Sequence, residues 1–286
     1  MKALPAMDVA GRAGRLRGLF GEAEVDALLV TSLPNVRYLT SFTGSAGMLL
    51  VTPDALVFTT DGRYRMQSAE QLAAAAVDAE IEVGATISAQ REALARALDA
   101  GARVGLEAHA ITWSQQRAFA EAFAGHDLVA TEGIVERLRR VKEPGEVARI
   151  HAACGIADDA LAAMLPRLAD ARHIWDVVRE SQWAGREAVR AGIESAEVDR
   201  ACRDVIVAAG WCDSFVHGTG HGVGLEIHEA PRVAATARDT LERGSVVTVE
   251  PGVYLPGVGG VRIEDTVVVT PDGSDPLTAF PKELVL

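Results

Sequence analysis

The order of hydrophobic patterns along the chain is the feature that most restricts its fold. In the first half, short β-branched or aliphatic segments alternate with segments whose apolar residues recur at helical spacing. Strands are predicted over 26–31, 48–53, 55–60 and 103–108, and helices over 8–20, 63–77, 87–99 and 112–124. This alternation is typical of a layered α/β domain built around a mostly buried sheet.

The pattern changes near residue 140, where charged residues accumulate and Pro144-Gly145 interrupts the sequence. The segments that follow predict helices over about 146–168, 173–190 and 196–209, and then strands over 245–255 and 259–273. Ser195 is placed to cap the third of these helices. We therefore expect an α/β N-terminal domain over residues 1–138 and an α+β domain over residues 139–286.

Bulk properties place the chain among soluble globular proteins of the cytoplasm. Its 286 residues are enough for two domains with separate cores. A net charge of −12 argues against binding to nucleic acid or to an anionic membrane. No apolar segment approaches the roughly 20 residues needed to span a bilayer, and the N-terminus lacks the pattern of a secretory signal. The three cysteines are scattered, which predicts free and mostly buried thiols.

The segment 217–229, HGTGHGVGLEIHE, concentrates three histidines, two glutamates and four glycines. Each glycine costs a helix about 1 kcal/mol relative to alanine, so an extended or looped segment is expected, with glycines that let the backbone approach a ligand. A phosphate cradle would need a helix to begin after the glycines, and the spacing differs from the zinc-protease motif H-E-x-x-H. A metal site and an ordinary loop with incidental histidines both remain open.

Two glutamates fall where apolar strands are predicted. Glu250 directly follows the apolar run SVVTV, and Glu264 lies between Ile263 and Asp265 inside a predicted strand. A glutamate on a half-buried strand is unfavourable unless a cation pairs with it. The two-residue period of a strand places Arg262 and Glu264 on one face, so a simple ion pair between them is the alternative to a bound metal.

These motifs together resemble a known family. HGTGHGVGLEIHEAP and GSVVTVEPGVYLPGVGGVRIEDTVVVT resemble the end of the proline-specific aminopeptidases and dipeptidases that have the pita-bread fold. PNVRYLTSFTGSAGMLLVTPDALVFTTDGRY resembles the creatinase-type N-terminal domain of Xaa-Pro aminopeptidases. VKEPGEVARIHAACGIADDAL is similar to the helix that opens their catalytic domain. The resemblance covers nearly all of the chain and implies a pita-bread fold for its second domain.

The resemblance also implies a set of site residues. In this family two aspartates, one histidine and two glutamates hold two divalent metal ions, and metal-activated water attacks the bond before proline while a glutamate moves protons. By motif position the metal ligands are His221, Glu250 and Glu264, and the other catalytic residues are His217, His228 and Arg262, with Glu250 serving in both roles.

The two aspartates that the resemblance requires are missing. In the family they lie on a D-[FY]-G type strand, eleven residues apart, and only Asp159 and Asp170 have that spacing here. Both fall in a predicted helix, where eleven residues span about 16 Å, whereas paired metal ions lie about 3.5–4 Å apart. We expect both to be solvated helix residues. The order of the family-like segments places an internal omission near residues 170–172, which leaves the catalytic sheet incomplete.

The omission leaves several functional hypotheses. Three N/O ligands with open positions can hold one ion, so the chain is expected to bind one divalent metal or none: Mn²⁺, Co²⁺ or Zn²⁺. The principal hypothesis is a proline-specific peptidase that acts on peptides with proline at the second position. The alternatives are an inactive pseudoenzyme or binding protein of the same family, and a metal-free hydrolase of the creatinase type. Apolar surface left by the missing strands favours a homodimer.

Overall fold

The computed structural model describes residues 4–164, 172–256 and 259–282. The chain forms two compact units, one over Asp8–Arg139 and the other over Arg140–Leu286 together with Met1–Met7. We call them the N-terminal unit and the C-terminal unit. No helix within the described ranges is long and apolar enough to cross a membrane.

A six-stranded mixed sheet organises the N-terminal unit. Its strands are β1 (Ala27–Val30), β2 (Met48–Val51), β3 (Leu56–Thr60), β4 (Glu80–Val83), β5 (Arg103–Glu107) and β6 (Asp127–Thr131). Their order in the sheet is β4-β3-β2-β1-β5-β6. The central four were predicted because they are almost continuously apolar and buried. The edge strands β4 and β6 were missed, since their residues are largely half-buried or exposed.

Six helices accompany this sheet: α1 (Arg12–Arg17), α2 (Leu33–Thr40), α3 (Arg65–Ala74), α4 (Ile87–Arg96), α5 (Trp113–Ala122) and α6 (Ile134–Arg139). Helix α5 begins with a capping box, in which Thr112 and Gln115 each bond the other's backbone N–H. Helix α2 was not predicted, because it is only eight residues long and lies within a segment that reads as a turn. Its second residue is Pro34, which is tolerated in the first turn of a helix.

The C-terminal unit contains three long helices followed by strands. The helices are α7 (Pro144–Met164), α8 (Arg172–Ala188) and α9 (Ser195–Ala208). The strands are β7 (Gly220–Gly222), β8 (Glu229–Val233), β9 (Val246–Val249), β10 (Gly252–Leu255), β11 (Gly259–Arg262), β12 (Asp265–Val269) and β13 (Ser274–Pro276). Five of the strands form an antiparallel sheet in the order β13-β12-β9-β7-β8, and β10 and β11 form a separate antiparallel pair.

One apolar core fixes the strands of this unit against helices α8 and α9. Val178 of α8 and Val198 of α9 are fully buried in the same cluster as Val247 and Val249 of β9. Each fully buried side chain of this size stabilises the fold by about 1.5–3 kcal/mol. Strand β9 is therefore held firmly at the centre of the sheet, and the residues at its end have defined positions.

Both apolar segments predicted as single strands are broken in two. The first divides into β9 and β10 at Glu250-Pro251, because Pro251 has no N–H for a ladder and the chain passes from one sheet to the other. The second divides into β11 and β12 at Ile263-Glu264 for the same change of sheet. The expectation that Glu264 lies inside a strand was therefore wrong.

Three smaller expectations also need correction or comment. Ser195 does not cap α9, because it is already the first residue of the helix. The capping position is Glu194, whose side chain makes no capping bond. An isolated bridge to Thr240 keeps Glu194 extended, so the helix begins after it. Only Cys202 is buried, so the prediction of mostly buried thiols was wrong, although all three cysteines are free. Asp159 is exposed on α7, whereas Asp170 and the predicted end of that helix lie outside the described residues.

Candidate functional site

The glycine-rich segment forms a short strand flanked by turns, and no helix, as the sequence predicted. A Cβ atom on Gly220 would collide with the carbonyl oxygen of Thr248, and one on Gly222 with that of Ala230. These glycines therefore let the neighbouring backbone approach β7 closely. The expectation that they also let the backbone approach a ligand stays a prediction.

His221 lies between these two glycines and contacts Glu250 at the end of β9. Its Nε2 atom is 3.1 Å from Glu250 Oε1, and its Nδ1 atom is 3.0 Å from the carbonyl oxygen of Gly222. Because both ring nitrogens face acceptors, this geometry suits the protonated imidazolium. The hydrogen bond to Glu250 raises the pKa of His221, against the opposing effect of burial. His221 and Glu250 therefore form a charged pair.

Glu250 is almost buried, and both of its carboxylate oxygens have partners. Thr248 Oγ1 donates to Oε1 over 2.9 Å, and Arg262 Nη1 donates to Oε2 over 3.1 Å. Burial by itself would raise the pKa of Glu250, but the hydrogen bonds from His221 and Thr248 and the charges of His221 and Arg262 outweigh it, so the pKa is lowered. Glu250 is consequently an anion compensated from two sides.

Glu264, the third expected metal ligand, is placed differently. It lines a cavity of about 430 Å³ together with Cys154 and Trp175, and no described residue makes a hydrogen bond or ion pair with it. Burial raises the pKa of Glu264, although its side chain still reaches solvent, and the charge of Glu250 raises it further. Arg262 pairs with Glu250 instead, so the alternative of an Arg262–Glu264 ion pair was wrong.

The remaining expected residues surround a second cavity of about 580 Å³, whose lining includes His217, His221, His228, Glu250 and Arg262. We call it the histidine cavity. The ring of His228 lies 4.2 Å from that of His221, centroid to centroid. His217 Nε2 lies 3.1 Å from the hydroxyl of Tyr254. The structure thus brings five of the six expected residues to one cavity, and Glu264 lines the neighbouring one.

Sequence reasoning missed several residues that shape the histidine cavity. Lys142 Nζ lies 2.8 Å from Glu229 Oε1, and both side chains are nearly buried, at 2% and 8% exposed. This ion pair holds the residue that follows His228. Thr248 was also missed, although its position two residues before Glu250 places both on one face of the strand. No local signal in the sequence indicated the Lys142–Glu229 pair, because its partners are distant along the chain.

The donor types and their arrangement give different answers about metal binding. One imidazole and two carboxylates, from His221, Glu250 and Glu264, suit a single divalent cation. Across residues 4–164, 172–256 and 259–282, however, no group of three or more His, Cys, Asp or Glu is gathered closely enough to hold an ion. The donor types therefore suit one ion, whereas the arrangement of the described residues gathers no complete ligand set for one ion or for a second.

Comparisons with known proteins agree with this architecture. The creatinase/prolidase N-terminal domain matches residues 12–141, and metallopeptidase family M24 matches residues 147–271. The chain is 30% identical to the uncharacterized peptidase YqhT of Bacillus subtilis, with 95% of this chain and 99% of YqhT covered. It is 46% identical to the Xaa-Pro dipeptidase of Pyrococcus furiosus over 114 residues, which are 40% of this chain and 33% of that enzyme.

Solved structures give the same result. The Xaa-Pro dipeptidase from Bacillus anthracis superposes with a TM-score of 0.87 at 29% identity, covering 97% of this chain and 99% of that one. The prolidase from Pyrococcus horikoshii superposes with a TM-score of 0.85 at 22% identity, covering 96% and 99%. The chain therefore belongs to metallopeptidase family M24 and carries a creatinase/prolidase N-terminal domain, and the predicted fold class is confirmed.

The alignment with YqhT also bears on the missing aspartates. It extends over 352 positions, whereas 95% of this 286-residue chain is about 272 residues. About 80 positions in YqhT therefore have no counterpart here. Because the alignment covers nearly all of both chains, most of these unmatched positions are internal. The order of the family-like segments predicts that an omission lies near residues 170–172, and this stays a prediction.

Proposed function

We propose that this chain is a proline-specific metallopeptidase that uses one divalent ion to hydrolyse the bond before proline in Xaa-Pro dipeptides and short peptides with proline at the second position. The observation that carries the proposal is the clustering of His217, His221, His228, Glu250 and Arg262 around one cavity in a member of family M24. Relatives named as Xaa-Pro dipeptidases support this substrate class.

The proposal extends to the organisation of the protein. We place the domain boundary at residues 138–139 and the omission of the two aspartate ligands near residues 170–172. We also propose a homodimer that works in the cytoplasm. The net charge of −12 supports a small peptide substrate over nucleic acid or a membrane surface.

The ion is proposed to be held by Glu250, Glu264 and the neutral imidazole of His221, which loses its proton when the ion binds. Mn²⁺ or Co²⁺ is favoured, and Zn²⁺ also suits the donors. A bound divalent cation supplies Lewis acidity and lowers the pKa of water at the site. Glu250 is the carboxylate placed to hold the proton taken from the attacking water and to pass it to the leaving nitrogen.

The other cavity residues bind and orient the peptide. The imidazoles of His217 and His228, which line this cavity, are proposed to donate hydrogen bonds to the carbonyl oxygen of the scissile bond and so to stabilise the negative charge that develops there. His217 would do so through the Nε2 atom that contacts the hydroxyl of Tyr254. The guanidinium of Arg262 is half-exposed in the same cavity, where it attracts the carboxylate of a dipeptide.

A second function is favoured by a specific observation. About 80 positions in YqhT have no counterpart here, and neither expected aspartate ligand was found in this sequence. This favours a non-catalytic protein of the family that binds proline-containing peptides in the histidine cavity without hydrolysing them.

Release of free proline from an Xaa-Pro dipeptide separates the two functions. The purified protein is incubated with Mn²⁺ or Co²⁺ and the dipeptide, and proline is quantified for the wild type, Glu250→Ala and Glu187→Ala. Glu187 is an exposed glutamate on α8 and serves as the matched control. Release that Glu250→Ala abolishes and Glu187→Ala retains supports the peptidase. A folded wild type that releases no proline supports the binding protein.

A further inference from the structure

Three protein groups compensate the charge of Glu250. Its side chain is only 10% exposed, and a carboxylate removed from water to this degree needs counter-charges or hydrogen bonds. His221 and Thr248 contact one oxygen, and Arg262 contacts the other over 3.1 Å. The guanidinium therefore occupies one of the two lone-pair directions of Oε2, and its positive charge opposes the approach of a second cation to that oxygen.

Arg262 is held there weakly. Its side chain is 51% exposed, and within the described ranges its one hydrogen-bond partner is Glu250. Exposed ion pairs contribute little to stability, so a half-exposed guanidinium with one anchor can leave for solvent at modest cost. The same side chain lines both the histidine cavity, to which Glu250 belongs, and the cavity of Glu264.

Charge balance shows what could replace it. Arg262 supplies one positive charge and contacts Glu250, whereas Glu264 makes no ion pair with any described residue. A divalent cation carries the charge to compensate both carboxylates at once. Displacement of Arg262 by such an ion would therefore exchange one ion pair for coordination by two carboxylates.

We propose that Arg262 acts as an internal cation that competes with the divalent metal ion for Glu250, so that the ion binds only as the guanidinium leaves. The proposal rests on the single-ion site of the proposed function and adds how that site is controlled. The released guanidinium, at the edge of the histidine cavity that Arg262 lines, is then free to bind the carboxylate of a peptide. By linkage, a peptide carboxylate that binds Arg262 tightens metal binding by the same factor by which the metal ion tightens binding of the carboxylate.

Mn²⁺ binding, measured by electron paramagnetic resonance in the absence of substrate, tests the competition. Arg262→Met removes the charge and keeps the stem, and we expect it to bind Mn²⁺ about 10- to 100-fold more tightly than the wild type, or about 1.4–2.8 kcal/mol. Arg262→Lys keeps a cation and should stay within about threefold of the wild type, if an ammonium replaces the guanidinium at Glu250.

The matched control is Arg232→Met, which removes the same charge from the wall of the same cavity without a contact to Glu250. We expect a change of no more than about twofold, since exposed charges at longer range are screened. An equal gain in Arg262→Met and Arg232→Met, no gain in Arg262→Met, or no Mn²⁺ binding by any of the proteins would overturn the proposal. Urea unfolding checks that each variant is folded.

A second measurement needs no variant. In the wild type, the Nε–H resonance of Arg262 should move toward that of free arginine as diamagnetic Zn²⁺ is added, and an unchanged resonance at saturating Zn²⁺ would overturn the proposal. Neither readout depends on turnover. Competition without proline release defeats the proposed peptidase alone, whereas proline release without competition defeats the present inference alone.

Discussion

His221 Nε2 and Glu250 Oε1 lie 3.1 Å apart. The two side chains meet because the backbones of Gly220 and Thr248, 28 positions apart in the sequence, pass close together. The contact depends on two features of the sequence. Glycine on each side of His221 lets the adjacent strands approach, and the buried valines of β9 fix the strand that Glu250 follows. The packing of strands in the sheet therefore brings His221 and Glu250 together at the centre of the site.

Replacement of Gly220 by alanine should destabilise the C-terminal unit, because the added Cβ would collide with the backbone of Thr248. Overpacking of this kind costs about 1–3 kcal/mol. The control is Gly155→Ala on α7, where a Cβ meets open space and should stabilise the helix by about 0.5–1 kcal/mol. Urea unfolding measures both, and a Gly220→Ala protein as stable as the wild type would contradict the close approach.

Loss of the buried cation Lys142 should cost about 3–5 kcal/mol, because it removes the positive charge that lies 2.8 Å from the nearly buried carboxylate of Glu229 beside the histidine cavity. The free energy of unfolding in urea measures this. Arg179→Met removes a cation from an exposed pair with Asp176 and should change stability by less than about 1 kcal/mol. Equal effects of the two substitutions would show that the Lys142–Glu229 pair is solvated.

The cysteines should differ in reactivity toward iodoacetamide at pH 8. Burial raises the pKa of Cys202 to about 12, so its reactive thiolate is scarce and its sulfur is inaccessible. Cys212 is exposed and should react first. Mass spectrometry of the native protein is expected to find Cys212 modified and Cys202 unmodified until denaturant is added. Native modification of Cys202 at a comparable rate would contradict the burial of α9.

The pKa of the Asp26 carboxyl group should be unusually low. The side chain of Arg103, and then its backbone N–H, donate hydrogen bonds that lower the pKa of Asp26 to about 2. The pair therefore stabilises the fold above the unfolded value of 3.8, and its contribution disappears as the pH falls toward 2. Carboxyl NMR titration checks this, with Arg103→Met expected to return the pKa toward 3.8. A pKa near 3.8 in the wild type would rule out the pairing.

The sequence predicted elements whose burial is uniform and missed those set by tertiary contacts. Strands β1, β2, β3 and β5 are almost entirely buried and were found, whereas the edge strands β4 and β6 are largely half-buried or exposed and were missed. The apolar run through Glu250 continues across a change of sheet, so periodicity alone could not locate the break. Helix capping at Ser195 failed because a bridge between distant residues determines where α9 begins.

The same distinction holds at the candidate site. The motifs led to His221, Glu250 and the residues around them, and the structure places five of the six at one cavity. Arg262 forms an ion pair with Glu250 and not with Glu264. This pairing could not be predicted, because it depends on the break between β11 and β12 that removes Glu264 from the strand.

The number of divalent ions bound per chain tests the single-ion site most directly. Native mass spectrometry of the protein titrated with Co²⁺ should show one ion per chain at saturation. Loss of the ion in His221→Ala, with binding retained in the exposed control His173→Ala, would assign it to the histidine cavity. Two ions per chain would show that the missing aspartates have been replaced by other ligands. No ion bound at saturating Co²⁺ would contradict a metal site in this chain.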